Sequence, residues 1–207
     1  MGLENIYPKL VEIFGADNMI LVGGAAMKLS CDPERQLRDI DVAVFPSKLR
    51  GVGKEKLNGL ELDGVYDNDK LITVTDRETG AEIEVSSQSC GNMNNVLGLP
   101  PYTEENPTIL GLNLRDVINK GQWSEFKGEK MRIPNSLHSL IMKYNLWLFR
   151  GKGAVGEQKD AQDINKLVSY YFKSLDELII SQSVEIQRCC RASSYEKFVD
   201  DMKRIIG

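Results

Sequence analysis

Two aspartates, Asp39 and Asp41, lie two residues apart in the run DIDVAVF at 39–45. Its alternation of polar and β-favouring apolar residues reads as a strand, ended by Pro46. Residues i and i+2 of a strand project from one face, so the two carboxylates stand side by side while Ile40 and Val42 turn toward the core. Neighbouring carboxylates repel unless a proton or cation sits between them. An all-oxygen donor set suits Mg²⁺ or Mn²⁺, which keep waters and accept substrate phosphates as further ligands.

Upstream, Gly23-Gly24 separate an apolar run, Met19 to Val22, from the helix formers of Ala25–Ser30. Glycine permits positive φ and close backbone approach, and N–H groups at a helix start can cradle a phosphate. An anion cradle beside metal-binding carboxylates describes a site for a nucleoside triphosphate. A third carboxylate is expected from Ala81–Val85, where Glu82 and Glu84 share one face and Ile83 and Val85 the other. Glu84 is the favoured partner, placed to orient a metal or to take a proton from an incoming hydroxyl. Arg35 and Arg38, just before the acids, are candidates for phosphate contact, Arg38 the nearer of the two. Farther along, Lys143 and Arg150 lie seven residues apart on one helical face. Asp160 and Asp163, at i and i+3 on the next helix, could orient either cation.

Together these residues resemble the nucleotidyltransferase superfamily, the group related to DNA polymerase β. They come nearest its minimal branch of AbiEii-type and MenT-type toxins and antibiotic nucleotidyltransferases. That branch carries a GG or GS turn, a spacer and Asp-hydrophobic-Asp, as in Gly23-Gly24 and Asp39-Ile40-Asp41. Next comes an apolar residue followed by an acid on a strand, as in Ile83-Glu84. A helical Lys follows, matched by Lys143, and then Asp-x-x-Asp, matched by Asp160 and Asp163. The resemblance spans roughly residues 18–170. This chain departs from the pattern at Gly24, where serine is frequent, and at Glu84, where Asp is usual. The resemblance implies an enzyme that uses ATP or another NTP with Mg²⁺ or Mn²⁺, Asp39, Asp41 and Glu84 being catalytic and metal-binding. Gly23, Gly24, Arg38, Lys143, Arg150, Asp160 and Asp163 would bind the nucleotide. A nucleoside monophosphate would pass to a hydroxyl acceptor, with small molecules, tRNA and proteins as candidate acceptors. Two alternatives stand beside it: a catalytically inactive nucleotide-binding or interaction protein on the same scaffold, and the toxin of a toxin–antitoxin pair with an antitoxin-like partner.

The elements that must position these groups follow from periodicity. Residues 3–14 repeat apolar side chains at helical spacing, with Pro8 early. Leu71–Thr75 and Ala81–Val85 flank a five-residue loop with Gly80 late, a β-hairpin pattern. Ser86–Pro107, rich in Ser, Asn, Gly and Pro, reads as a loop and a candidate lid. After Pro134 the texture turns helical: Asn135 or Ser136 caps a helix to about Arg150, a second covers about 159–172, and more fill 175–206. The expected fold is therefore α+β, a nucleotidyltransferase-like mixed sheet with flanking helices over 1–133 and a helical region over 134–207. Trp123, Trp147 and the run Tyr170-Tyr171-Phe172 are expected in the core.

Composition narrows the partners. The 207 residues carry a net charge of −4, the opposite of a duplex-binding surface, which favours small-molecule or nucleotide substrates. No apolar run approaches the ~20 residues of a membrane span, and the first residues lack the pattern of a signal peptide. A cytoplasmic protein with reduced thiols is expected. The four cysteines show no CxxC spacing, and with a single histidine, His138, which reads as structural or capping, no zinc set is expected.

Overall fold

The computed structural model describes residues 2–50, 52, 57, 59–66, 70–88, 105–151, 156–190 and 193–207. Most of the expected lid at Ser86–Pro107, and Gly153, lie outside the described residues. The chain divides into two compact units. The first comprises Met1–Ser89, Tyr102–Ile109 and Asn113–Asn135; the second comprises Cys90–Pro101, Leu110–Leu112 and Ser136–Gly207.

The first unit opens with α1 (Leu3–Phe14), whose Leu3, Ile6, Tyr7, Leu10 and Phe14 are buried along one stripe. Pro8 lies inside this helix, where it forgoes one backbone hydrogen bond. Burial of that stripe in the core holds the helix nonetheless. Then follow β1 (Met19–Leu21), α2 (Gly23–Ser30), β2 (Asp39–Val44), the single turn α3 (Pro46–Leu49), β3 (Leu60–Tyr66), β4 (Leu71–Asp76) and β5 (Glu82–Ser86). The five strands form one sheet in the order β1-β2-β5-β4-β3. β2 and β5 run parallel, and the other neighbours are antiparallel. Strand alternation sends Ile40, Val42, Val44, Ile72, Ile83 and Val85 into a single core with the stripe of α1.

Beyond the short β6 (Thr108–Ile109) and β7 (Leu112–Asn113) come α4 (Leu114–Asn119) and the hairpin of β8 (Gln122–Phe126) and β9 (Glu129–Ile133). Its two-residue loop, Lys127-Gly128, has both φ angles positive, 51° and 86°, the arrangement whose twist matches paired strands. Met131 and Ile133 join the same core. In the first unit the fully buried acid Asp76 pairs with the partly exposed Lys9. Lys9 Nζ lies 2.6 Å from Asp76 Oδ1, and Asp76 also accepts from Thr79 N–H (3.0 Å) and Thr79 Oγ1 (2.7 Å).

The second unit is helical: α5 (Ser136–Arg150), α6 (Glu157–Tyr171), α7 (Leu175–Cys189) and α8 (Tyr195–Ile206). Ser174 and Ser194 cap α7 and α8, each accepting a backbone N–H three residues on at 3.1 Å. Buried Tyr144 of α5 meets Phe198 of α8 edge-on, with ring centroids 5.0 Å apart, and donates its hydroxyl hydrogen bond to Asp201 at 2.9 Å. Trp147 and Phe172 are buried as expected. Trp123 and Tyr170 are not: they are 50% and 63% exposed. Trp123 sits on the solvent face of the β8–β9 hairpin, covered by the Arg132 guanidinium 5.5 Å from its ring, an arrangement open to a cation beside an exposed aromatic.

Candidate active site

The parallel register of β2 and β5 sets Asp39 opposite Glu82 and Asp41 opposite Glu84. All four side chains leave the sheet on the face away from the core, since their neighbours Ile40, Val42, Ile83 and Val85 are buried on the other. Neighbouring strands lie about 4.8 Å apart, so four carboxylates crowd a patch two residues wide. None of Asp39, Glu82 and Glu84 forms a salt bridge to a described cation. The Glu84 carboxyl titrates above the ordinary carboxylate range, because neighbouring groups strip water from it and because the Asp39 charge opposes a second one. On β4, Thr73 pairs with Glu84 and Thr75 with Glu82. Thr75 Oγ1 donates to Asp63 at 2.7 Å, which carries the polar surface across to β3.

Gly23 fixes the second side of the patch. It is the first residue of α2, not part of a turn preceding a helix at Ala25 as the sequence suggests, and its φ is +57°. A Cβ built there would stand 1.9 Å from Asp41 Oδ2. Both the dihedral and the approach of the carboxylate therefore demand glycine. Val22 N–H donates to the Asp41 carbonyl at 2.9 Å, tying the head of α2 to β2. Gly24 is under neither constraint: a Cβ there would meet Leu37 Cδ2 at 3.5 Å and Arg35 Nε at 3.6 Å, ordinary contacts.

The segment between α2 and β2 is pinned by Lys28, whose Nζ donates to the carbonyls of Pro33 (2.7 Å) and Arg35 (2.8 Å). Arg35 reaches Asp32, with Nη1 3.4 Å from Oδ2. Arg38 is exposed, one residue from Asp39.

The remaining expected site residues lie together in the second unit. Lys143 Nζ, buried on α5, is 2.8 Å from Asp163 Oδ2 and 3.4 Å from Asp160 Oδ1. The other Asp160 oxygen takes the Arg150 guanidinium in a close ion pair. Arg150 packs on Gly156, whose φ of +98° and lack of a side chain leave it room. Two cations and two anions thus form one contiguous network between α5 and α6, as the i, i+3 spacing of the aspartates allows. Sequence reasoning did not weigh Asp63, Thr73 and Thr75. They become visible only through strand register, which no local pattern encodes.

The donor set on β2 and β5 consists of crowded carboxylate oxygens alone, which fits a hard divalent cation of the Mg²⁺ or Mn²⁺ type. No protein-family model matches the sequence, and no curated protein matches it. Among solved structures the chain is similar to a lincosamide antibiotic adenylyltransferase determined with lincomycin bound. The TM-score is 0.50 and the identity 17%, over 82% of this chain and 98% of that one. It is also similar to JHP933 from Helicobacter pylori, with a TM-score of 0.44 and 14% identity over 98% of this chain and 88% of that one. The five-stranded mixed sheet with its flanking helices, followed by a helical unit, is thus the α+β fold of the nucleotidyltransferases.

Proposed function

We propose that this protein is a metal-dependent nucleotidyltransferase that moves a nucleoside monophosphate from an NTP to a hydroxyl acceptor. The observation that carries the reading is the parallel register of Asp39 and Asp41 against Glu82 and Glu84, with the Asp41 carboxylate seated on Gly23 at the head of α2. Asp39, Asp41 and Glu84 would hold Mg²⁺ or Mn²⁺, which when bound supplies positive charge against the triphosphate and the developing negative charge. Gly23 and Gly24 leave the backbone open to phosphate oxygens, and Arg38 contributes charge from the segment before β2.

The acceptor hydroxyl oxygen forms a bond to the α-phosphorus while the bond from that phosphorus to the bridging oxygen breaks and pyrophosphate leaves. The hydroxyl proton passes to a Glu84 carboxylate oxygen. The motif order assigns Lys143, Arg150, Asp160 and Asp163 to nucleotide binding. The acidic balance of the chain favours a small-molecule acceptor over duplex nucleic acid, and the reaction is assigned to the cytoplasm.

Incubation with each α-labelled NTP, Mg²⁺ or Mn²⁺ and a panel of small-molecule and RNA acceptors tests the reading. Label transfer with pyrophosphate release is expected, and Asp41→Ala abolishes both while the folded protein remains. Full transfer by that variant would remove the mechanism. Gly24 in place of serine and Glu84 in place of aspartate favour one second reading, a nucleotide-binding protein without transfer. Its signature is metal-dependent NTP binding with no pyrophosphate released.

A further inference from the structure

His138, Glu185 and Cys189 meet in the helical unit, far from the acidic patch in sequence. An imidazole nitrogen, a carboxylate oxygen and the thiol sulfur all lie within 4.8 Å of one another. His138 comes from the first turn of α5, and Glu185 and Cys189 from the last turns of α7. The latter two are at i and i+4, the spacing that puts two ligands on one face of a helix. His138 and Cys189 are buried, and Glu185 lies at the edge with its side chain 31% exposed.

We propose that these three residues form a binding site for a thiophilic divalent cation, Zn²⁺ above all, distinct from the carboxylate site on β2 and β5. The donor set selects the metal. Sulfur and imidazole nitrogen are poor ligands for Mg²⁺ and good ones for Zn²⁺, which binds Cys, His and carboxylate in tetrahedral sites. Charge favours it too, since a divalent cation would stabilise a thiolate at buried Cys189. The Arg188 guanidinium grips Glu185 side-on, with Nη2 2.6 Å from Oε1 and Nε 3.0 Å from Oε2. That clasp fixes the carboxylate while leaving a lone pair for a metal. Tetrahedral Zn²⁺ needs ligand atoms roughly 3.5 Å apart, from bond lengths of about 2.0–2.3 Å, so side-chain rotation of an ångström or so closes the site. The fourth position falls on the exposed Glu185 side, where water can complete it. A bound cation would tie the end of α7 to the start of α5. No CxxC or HxxxH spacing announces the site, because 47 residues separate His138 from Glu185 and the fold alone brings them together.

Titration of the reduced full-length protein with Co²⁺ reads thiolate ligation directly. The expected result is one equivalent giving an intense near-ultraviolet sulfur-to-cobalt charge-transfer band and tetrahedral visible bands, displaced by Zn²⁺. Cys189→Ala and His138→Gln lose the charge-transfer band and the tetrahedral bands respectively, with circular dichroism confirming helical folding. Glu185→Gln, at the exposed edge, weakens Co²⁺ binding. Cys190→Ala and Asp39→Asn retain the full spectrum, which separates this site from the neighbouring thiol and from the carboxylate site. No charge-transfer band in the wild type, its persistence in Cys189→Ala, or its loss only in Cys190→Ala would overturn the proposal. Transfer activity enters none of these readouts, so the outcome is independent of the nucleotidyltransferase reading.

Discussion

Two adjacent glycines have opposite requirements, and this contrast is a sharp test at the scale of single residues. At Gly23 a methyl group would enter the Asp41 carboxylate at 1.9 Å from a backbone with φ +57°. Gly23→Ala therefore displaces Asp41, and transfer should fall by roughly a hundredfold, as ångström-scale misplacement of a reacting group does. Gly24 has space on ordinary terms, so Gly24→Ser leaves the melting temperature unchanged and keeps transfer activity. Activity assays and thermal melts on the two variants check this pair. The pairing of buried Asp76 with Lys9 is a structural counterpart. Burial pushes the Asp76 carboxyl up, but the hydrogen bonds from Lys9 and Thr79 outweigh it and hold the carboxyl below its ordinary value. Its stabilisation is thus present above the unfolded value of 3.8 and is lost as pH falls through the folded one. Asp76→Asn removes the charged acceptor, while Lys9 keeps its exposed pair with Glu78 at 2.9 Å, and costs about 2 kcal/mol near neutrality. In denaturant titrations that difference shrinks as the pH is lowered below the unfolded value.

At the scale of elements, periodicity made α1, β2, the β4–β5 hairpin and the helices after Pro134 legible, because each buries one face and repeats accordingly. What stayed hidden has physical causes. β3 carries Glu61 and Asp63 on its outer face and a register shift between Leu62 and Gly64, so no clean alternation survives. The β8–β9 hairpin turns on Lys127-Gly128, and a lysine at positive φ is not the residue that announces such a turn. Asp39, Asp41 and Glu84 were legible as a same-face set within each strand. Their juxtaposition rests on the parallel β2–β5 pairing, a contact across more than forty residues with two strands between. For Lys143 and Asp160–Asp163, helical spacing anticipated a shared face, and the network between α5 and α6 supplies the distances. Helix docking in the second unit has its own anchor in Tyr144, whose hydroxyl donates to Asp201 between the cations Lys197 and Arg204. Burial pushes that hydroxyl well above the ordinary phenol value, so it stays a donor at every physiological pH. Tyr144→Phe keeps the ring contact with Phe198 and removes the bond to the charged Asp201 together with the 3.1 Å contact to the Ser193 hydroxyl. The expected loss is about 1.5 kcal/mol by chemical denaturation, and helix content is unchanged.

For the whole molecule, an acidic protein gathers four carboxylates on one face of a mixed sheet. Like charges crowded there oppose one another, and the proposed cation would offset that repulsion. Among the described residues no helix is long and apolar enough to cross a membrane. Anomalous diffraction from crystals grown with Mn²⁺ and a non-hydrolysable NTP measures the central claim most directly. The account predicts a manganese peak bonded at about 2.1 Å to carboxylate oxygens of Asp39 and Asp41, with Glu84 beside it and triphosphate oxygens completing the shell. Manganese and triphosphate bound away from β2, or Asp39 and Asp41 turned from the nucleotide, would contradict it.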